Sequence, residues 1–189
     1  LLGHTRVPFT ILTKHTEEHS EASDPRRYVL EIAQQKGQVV CEGVTDERVV
    51  VVSADTIVEQ QGKIFGKPRD NFEAEQFLRE LSGREHNVHT AVVVKVRISG
   101  KWCEISHVES TIVQFHQINE RLLSDYVQSG DALDKAGAYG IQGQALTFIA
   151  RINGCYANVV GFPLSKFCLM MDRDFRKMIG GDKPWQDYF

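Results

Sequence analysis

Hydrophobic positions along this chain repeat in more than one period. The stretch Arg48-Val-Val-Val-Val-Ser-Ala-Asp-Thr56 sets valines in an unbroken row ahead of an acid. Such a run predicts a central strand buried on both faces. Asp55 would then stand at its C-terminal edge, where open α/β sheets place their ligands. Val92, Val94, Val96 and Ile98 alternate instead, with Lys95 and Arg97 on the opposite side. That alternation predicts a strand, and Ser99-Gly100 a turn into a second long strand ending at Phe115. The pair reads as a structural hairpin with no chemistry of its own.

Other segments carry the helical period. Pro25 opens a helix predicted to run through Lys36 and stop at Gly37, with Tyr28, Val29, Ile32 and Ala33 as its apolar stripe. Lys36 extends that stripe. It can be a lysine snorkelling from a helix end or a cation aimed at a cleft, and periodicity leaves both open. Asp70-Asn-Phe-Glu73 resembles a capping box, and Ala74, Phe77, Leu78 and Leu81 continue it until Gly83. Ile118, Leu122, Leu123, Tyr126 and Val127 predict a further helix ending near Gly130. Shorter expectations are a strand at Phe9–Leu12, a turn over Glu59–Lys63 with Ile64-Phe65 returning, and a last strand over Ala145–Ile152. A loop over Asn153–Asn158 and a helix from Pro163 to about Phe175 complete the pattern. The tail from Gly180 is turn-rich, ordered where its aromatics dock.

Composition narrows the picture. At 189 residues and 42% hydrophobic, the chain suits one domain with a real core. A net charge of -3 offers no basic field for nucleic acid, so a phosphate ligand would be held by a few local lysines. The four cysteines form no C-x-x-C pair, which suits a reducing compartment rather than zinc or a disulfide framework. No apolar run reaches the ~18 residues of a membrane span, and no signal peptide is apparent, so the expectation is cytoplasmic. His15 and His19 stand at i,i+4 spacing and would share a metal only if helical, without the H-E-x-x-H pattern; a solvated surface is the ordinary fate of such a run.

An acid after a valine run, several lysines and glycine-bounded loops together suggest a pocket for a metal-bound phosphate ester. Taken in order, Ser53-Ala-Asp-Thr56, Gly66-Lys-Pro68, Leu81-Ser-Gly83 and His86-x-Val88-x-Thr90 form a recognisable set with two later motifs. Those are Asp134-Lys-Ala-Gly-Ala-Tyr-Gly-Ile-Gln-Gly143 and Val159-Val-Gly-Phe-Pro-Leu164. The set resembles the Maf family of nucleoside triphosphate pyrophosphatases, related in fold to the inosine triphosphate pyrophosphatases, across nearly the whole chain. The resemblance implies a single elongated α/β domain over residues 1–189, a mixed sheet with flanking helices, and two lobes around a central cleft. It also implies a divalent cation, Mg²⁺ or Mn²⁺, and a homodimer.

By position, Asp55 resembles the family's proton acceptor and Glu18 its cleft acid, with Glu17 the alternative alignment; Asp55 and Glu18 are also the implied metal ligands. Lys36 and Lys67 match catalytic lysines, while Thr56, Lys135 and Gln142 fall at substrate positions, Thr56 and Gln142 where the base is chosen. The Ala-Tyr-Gly-Ile-Gln-Gly form resembles the branch acting on dTTP and UTP; the branch acting on 7-methyl-GTP has Glu where Gln142 stands. Family members carry a Ser/Thr-rich segment and an Arg-Arg pair before the equivalent of Leu1-Leu2, so a truncated N-terminus is expected. The implied reaction is house-cleaning hydrolysis of dTTP or UTP to the monophosphate and pyrophosphate. Two rivals stand beside it: a binding module of the same fold without turnover, and a purine pyrophosphatase of the inosine triphosphate type. Gln142 alone could flip its amide and serve cytosine, so selectivity requires a second group.

Overall fold

The computed structural model describes residues 1–45 and 49–188; Arg48 at the head of the valine run and Phe189 at the chain end lie outside the described residues. Helix α1 (Pro25–Cys41) precedes strands β1 (Val50–Gln60) and β2 (Lys63–Phe65), then helix α2 (Asn71–Leu81). Strands β3 (Glu85–Ile98) and β4 (Lys101–Phe115) follow, then helix α3 (Glu120–Gln128) and strand β5 (Ile149–Asn153). Short helices α4 (Tyr156–Val159), α5 (Leu164–Met170) and α6 (Arg176–Ile179) end the chain.

The strands form one sheet in the order β2-β1-β3-β4-β5, and every pairing is antiparallel rather than mixed. Two-residue turns join β1 to β2 and β3 to β4, and such turns can join only antiparallel neighbours. The centre of the sheet is therefore β3, buried almost throughout, and not the valine run. β1 is covered by β2 only over Val58–Gln60; from Val50 to Ile57 it pairs with β3 alone. Its outer edge is open there, and Val52–Thr56 is only half-buried. Asp55 thus lies in mid-strand on an open edge, not at a strand end.

Alternation divides the sheet into two faces. One packs on α1, where Ile57, Ala91 and Val93 meet Val29 and Ala33. The other carries two separate apolar clusters. Val58, Val88, Val113 and Phe115 pack with residues of α2 and α3 toward one end. Val92, Val94 and Val96 pack with Phe167, Phe175 and Trp185 toward the other, so the tail does dock by an aromatic. Between these clusters, on the same face, stand the cross-strand partners Thr56 and Thr90. This polar seam separates the two lobes.

Several local expectations change. Phe9–Leu12 is not a strand, and Phe9, Ile11 and Leu12 are exposed. His15 and His19 lie on no helix, so their i,i+4 spacing has no geometric meaning. Helix α1 runs through Gly37 to Cys41. A Cβ on Gly37 would sit 2.7 Å from Ser53 Oγ, which itself donates to the Ala33 carbonyl at 2.7 Å. Gly37 is there for close helix–strand approach, not as a stop. The β1–β2 turn takes only Gln61 and Gly62. A 3₁₀ segment, Gln144–Phe148, replaces the start of the last strand, and α4 occupies the end of the predicted Asn153–Asn158 loop. The helix after Pro163 passes through a π-wound turn, Met171–Phe175, and continues to Ile179. The capping of α2 is as predicted: Asp70 accepts from the Glu73 backbone N–H at 2.8 Å.

Candidate active site

A cavity of about 440 Å³ sits against the open edge of β1, lined by Asp55, Thr56, Lys67, Lys135, Tyr139 and Gln142 among others. Neighbouring residues of a strand point to opposite faces, so an interior cavity could not take both Asp55 and Thr56. At an edge it can. The loop from Asp131 to Gly143 closes one side, and Val159 to Gly161 another. Gly137, with φ of 67°, is pressed against β1: an added Cβ would meet Val58 Cγ2 at 2.7 Å.

The α1 side of the edge is ionic. Lys36 Nζ donates to Asp55 Oδ1 at 2.5 Å and lies 2.9 Å from Glu18 Oε1. The apolar stripe of α1 carries Lys36 to β1, so this lysine is paired rather than snorkelling. Glu18, not Glu17, reaches it. Burial pushes the Asp55 carboxyl above its ordinary value, against the opposing pull of Lys36. Burial opposes the charge on Lys36 too, but the bonds to Asp55 and then Glu18 outweigh it and hold the ammonium above its ordinary value. Lys67, on the loop after β2, is exposed at the cavity and close enough to Asp55 to help hold its charge.

Lys135 is placed differently. Its ammonium contacts Asp134 Oδ1 at 2.6 Å, the Asp131 carbonyl at 2.8 Å and Asp131 Oδ1 at 3.1 Å. A phosphate would have to share it with two acids of its own loop. Gln142 is exposed at the cavity and makes no side-chain hydrogen bond among the described residues, so the fold does not set its amide.

On the other side of the edge, the chain of groups behind Thr56 carries no charge. Thr56 Oγ1 meets Thr90 Oγ1 at 2.9 Å, and Thr90 Oγ1 donates to the Asn158 carbonyl at 2.9 Å. Asn158 is fully buried, and its Nδ2 donates to the Val88 carbonyl at 2.9 Å and to Thr111 Oγ1 at 3.0 Å. The β3–β4 pair, read as structural, thus puts Thr90 directly behind a cavity residue. Tyr139, Val58 and Val88 add an apolar wall. The Tyr139 hydroxyl is 2.7 Å from His86 Nε2, and burial pulls His86 down to about 4, leaving it neutral at pH 7.

The sequence pattern gave no reason to select Thr90, Asn158 or Tyr139 individually. The His86-x-Val88-x-Thr90 alternation was the available signal, since it sets those three side chains on one face of a strand.

No cluster of three or more His, Cys, Asp or Glu side chains suited to a metal occurs among the described residues. Asp55 and Glu18 do converge on one cation, the Lys36 ammonium. A hard divalent cation that keeps its waters and takes phosphate oxygens needs only one or two carboxylates, which this pair provides. The described helices include none long and apolar enough to cross a membrane.

The model of the family described as Maf-like protein matches residues 1–173. The chain is 38% identical over 173 residues to a protein of Clostridium kluyveri named dTTP/UTP pyrophosphatase, covering 90% of this chain and 89% of that one. A protein of Deinococcus radiodurans with the same name is 42% identical over 165 residues, covering 87% and 82%. One of Caldanaerobacter subterraneus, also so named, is 36% identical over 191 residues, covering 99% and 89%. With its match running from the first residue into the π-wound turn, this chain belongs to the Maf family.

Proposed function

We propose that this protein hydrolyses dTTP or UTP between the α- and β-phosphates, releasing the nucleoside monophosphate and pyrophosphate. The observation that carries the reading is the two-sided edge of β1: the Asp55–Lys36–Glu18 ion chain on one side, the uncharged Thr56–Thr90–Asn158 hydrogen-bond chain on the other. A nucleoside triphosphate has the same division, and the names of the relatives point to the same substrates.

In this reading the base enters beside Thr56, Gln142 and Tyr139, and the triphosphate lies toward Asp55. Water attacks the α-phosphorus, the bond to the bridging oxygen breaks, and pyrophosphate leaves with that oxygen. Asp55 takes the proton of the attacking water. Burial makes its carboxylate a stronger base than an ordinary aspartate. Lys36 and Lys67 offset charge on the phosphates, and such positioning and neutralisation carry most of phosphoryl-transfer catalysis. Asp55 and Glu18 are the residues that would hold Mg²⁺ or Mn²⁺, which when bound neutralises phosphate oxygens and acidifies water. Lys135 serves a phosphate only when Asp134 gives it up.

Gln142 can donate its amide N–H to a carbonyl of the imide edge. Gln142→Glu should repel the uracil carbonyl, depress UTP turnover and favour a base edge with two donors, as in 7-methyl-GTP. An unchanged ratio of kcat/KM for the two would remove Gln142 from base choice.

The deciding experiment is pyrophosphate release with Mg²⁺ or Mn²⁺ from dTTP, UTP, CTP, ATP, GTP and ITP. The reading requires dTTP and UTP well ahead. ITP in the lead would assign the purine reaction, and tight binding with no release would leave a nucleotide-binding module.

A further inference from the structure

Thr56 and Thr90 are 34 residues apart, and their hydroxyls share one hydrogen bond that either could donate. The next link decides which. Thr90 Oγ1 stands 2.9 Å from the Asn158 carbonyl, an acceptor that can offer no proton. Thr90 has a single hydroxyl proton, so it goes there. The hydrogen between the two threonines must then come from Thr56. Thr56 Oγ1 keeps only lone pairs for the cavity it lines.

Asn158 is itself held. Its Nδ2 has two acceptors, the Val88 carbonyl and Thr111 Oγ1, and Thr111 Oγ1 also receives the Cys155 N–H at 3.0 Å. Asn158 Oδ1 is buried without a hydrogen-bond partner among the described residues. Gly161, at φ of 110°, keeps the space beside Thr56 clear; an added Cβ there would lie 3.4 Å from Thr56 Oγ1.

We infer that Asn158, acting through Thr90, fixes the Thr56 hydroxyl so that it faces the nucleobase as a hydrogen-bond acceptor only, and that this polarity excludes cytosine. The inference rests on the proposed function, in which the base lies beside Thr56. Uracil and thymine carry a proton on N3 and can donate to Thr56. Cytosine presents a lone pair there, and two lone pairs would face each other. Gln142 cannot make this distinction, because its amide is free to turn. Guanine also offers a ring N–H, so polarity rejects cytosine and adenine while guanine must be rejected by shape. Thr90 and Asn158 are positioning residues; neither need touch the substrate.

Thr90→Val keeps the β-branched shape and removes the hydroxyl, freeing the Thr56 proton to rotate toward the cavity. The ratio of kcat/KM for UTP over CTP should fall at least about tenfold, mostly by gain with CTP, since a mismatched buried polar group is what supports large discrimination. Thr90→Ser restores the relay and should restore the ratio. Thr90→Val that turns over UTP with an unaltered ratio overturns the inference, as does Thr90→Ser behaving like Thr90→Val.

Should Thr90→Val not fold, the unaltered protein still decides. Pseudoisocytidine triphosphate, a cytosine isomer with a proton available at N3, should be cleaved well ahead of CTP; equal rates sink the idea. No UTP turnover by the unaltered protein defeats the proposed function instead. The polarity is then read from dissociation constants for UMP and CMP, where equal binding overturns it.

Discussion

Asp55 and Thr56 are neighbours in the chain and opposites in design. Asp55 meets Lys36, which in turn meets Glu18, in a charged chain whose Lys36 and Glu18 side chains are 29% and 47% exposed. Thr56 meets Thr90 and Asn158, both fully buried, and no charge takes part in that chain. The contrast follows from what each side is proposed to meet. A triphosphate is flexible, strongly charged and hydrated, and lysines on long stems can follow it. A base edge is a rigid pattern of donors and acceptors, legible only to groups whose protons cannot wander. An open strand edge is the place where one short segment can supply both.

The largest break in this comparison is Asp55→Asn. It keeps the shape and removes the charge that pairs with Lys36 and, in the proposed reaction, accepts the proton. Pyrophosphate release should fall ~10²–10⁴-fold, the usual cost of losing a general base. The folded variant should bind UMP as before, because Thr56 and Thr90 are untouched. Near-normal release, or loss of UMP binding with release intact, would reverse the assignment of the two sides.

The neutral side has its own weakness, which is acid. His86 bonds Tyr139 at the cavity wall, and burial pulls its pKa from 6.5 to about 4. The unfolded chain therefore takes up this proton first. Its contribution is fully present above pH 6.5 and is lost as pH falls toward 4. A shift of that size corresponds to roughly 3 kcal/mol at the acid end. Urea unfolding between pH 7 and 4.5 should show the decline, and His86→Phe should flatten it at a lower starting stability. An equal slope in both proteins would place the acid sensitivity elsewhere.

The difference between the sides also explains what was legible in the sequence. Lys36 could be read because a charged residue on an apolar helical stripe is a local anomaly, visible within a few residues. Asp55 stood out for the same reason after the valines. Thr90 lies in an ordinary β-rich alternation and Asn158 in a polar stretch, and their bond spans 68 residues. Only the β1–β3 register and the return of the chain at α4 bring them together, and neither is written in any local period. Gly37 shows the complementary error. A glycine in a helix suggests a stop, whereas Ser53 on a distant strand supplies the reason for it. The strong periods of α2, β3 and β4 were read directly. The N-terminal Phe9–Leu12 was not, because apolar content without a partner strand makes no strand.

The smallest test acts within the ionic side alone, by changing the charge seen by Asp55 without touching Asp55. Burial gives the Asp55 carboxyl its largest upward push; Lys36 opposes that push and Glu18 adds to it. Lys36→Met should therefore move the acid limb of the UTP rate profile to higher pH, and Glu18→Gln should move it to lower pH. Asp55 raised in the folded state contributes most stability at low pH and loses it as pH rises through its folded value. Lys36→Met carries that loss to higher pH, and Glu18→Gln draws it back. Neither change should cost much stability near neutrality. The Lys36–Glu18 pair is partly exposed, and such pairs contribute about 0–1 kcal/mol. Lys36→Met should lose slightly more, because it leaves the less exposed Asp55 without its hydrogen-bond donor. The readout is the midpoint of the acid limb, which is independent of how far each variant lowers the plateau rate through lost phosphate or cation contacts. Shifts in the same direction would mean that the limb belongs to a group other than Asp55. The UTP-to-CTP ratio should not move in either variant, since in the proposed orientation the ionic side does not meet the base.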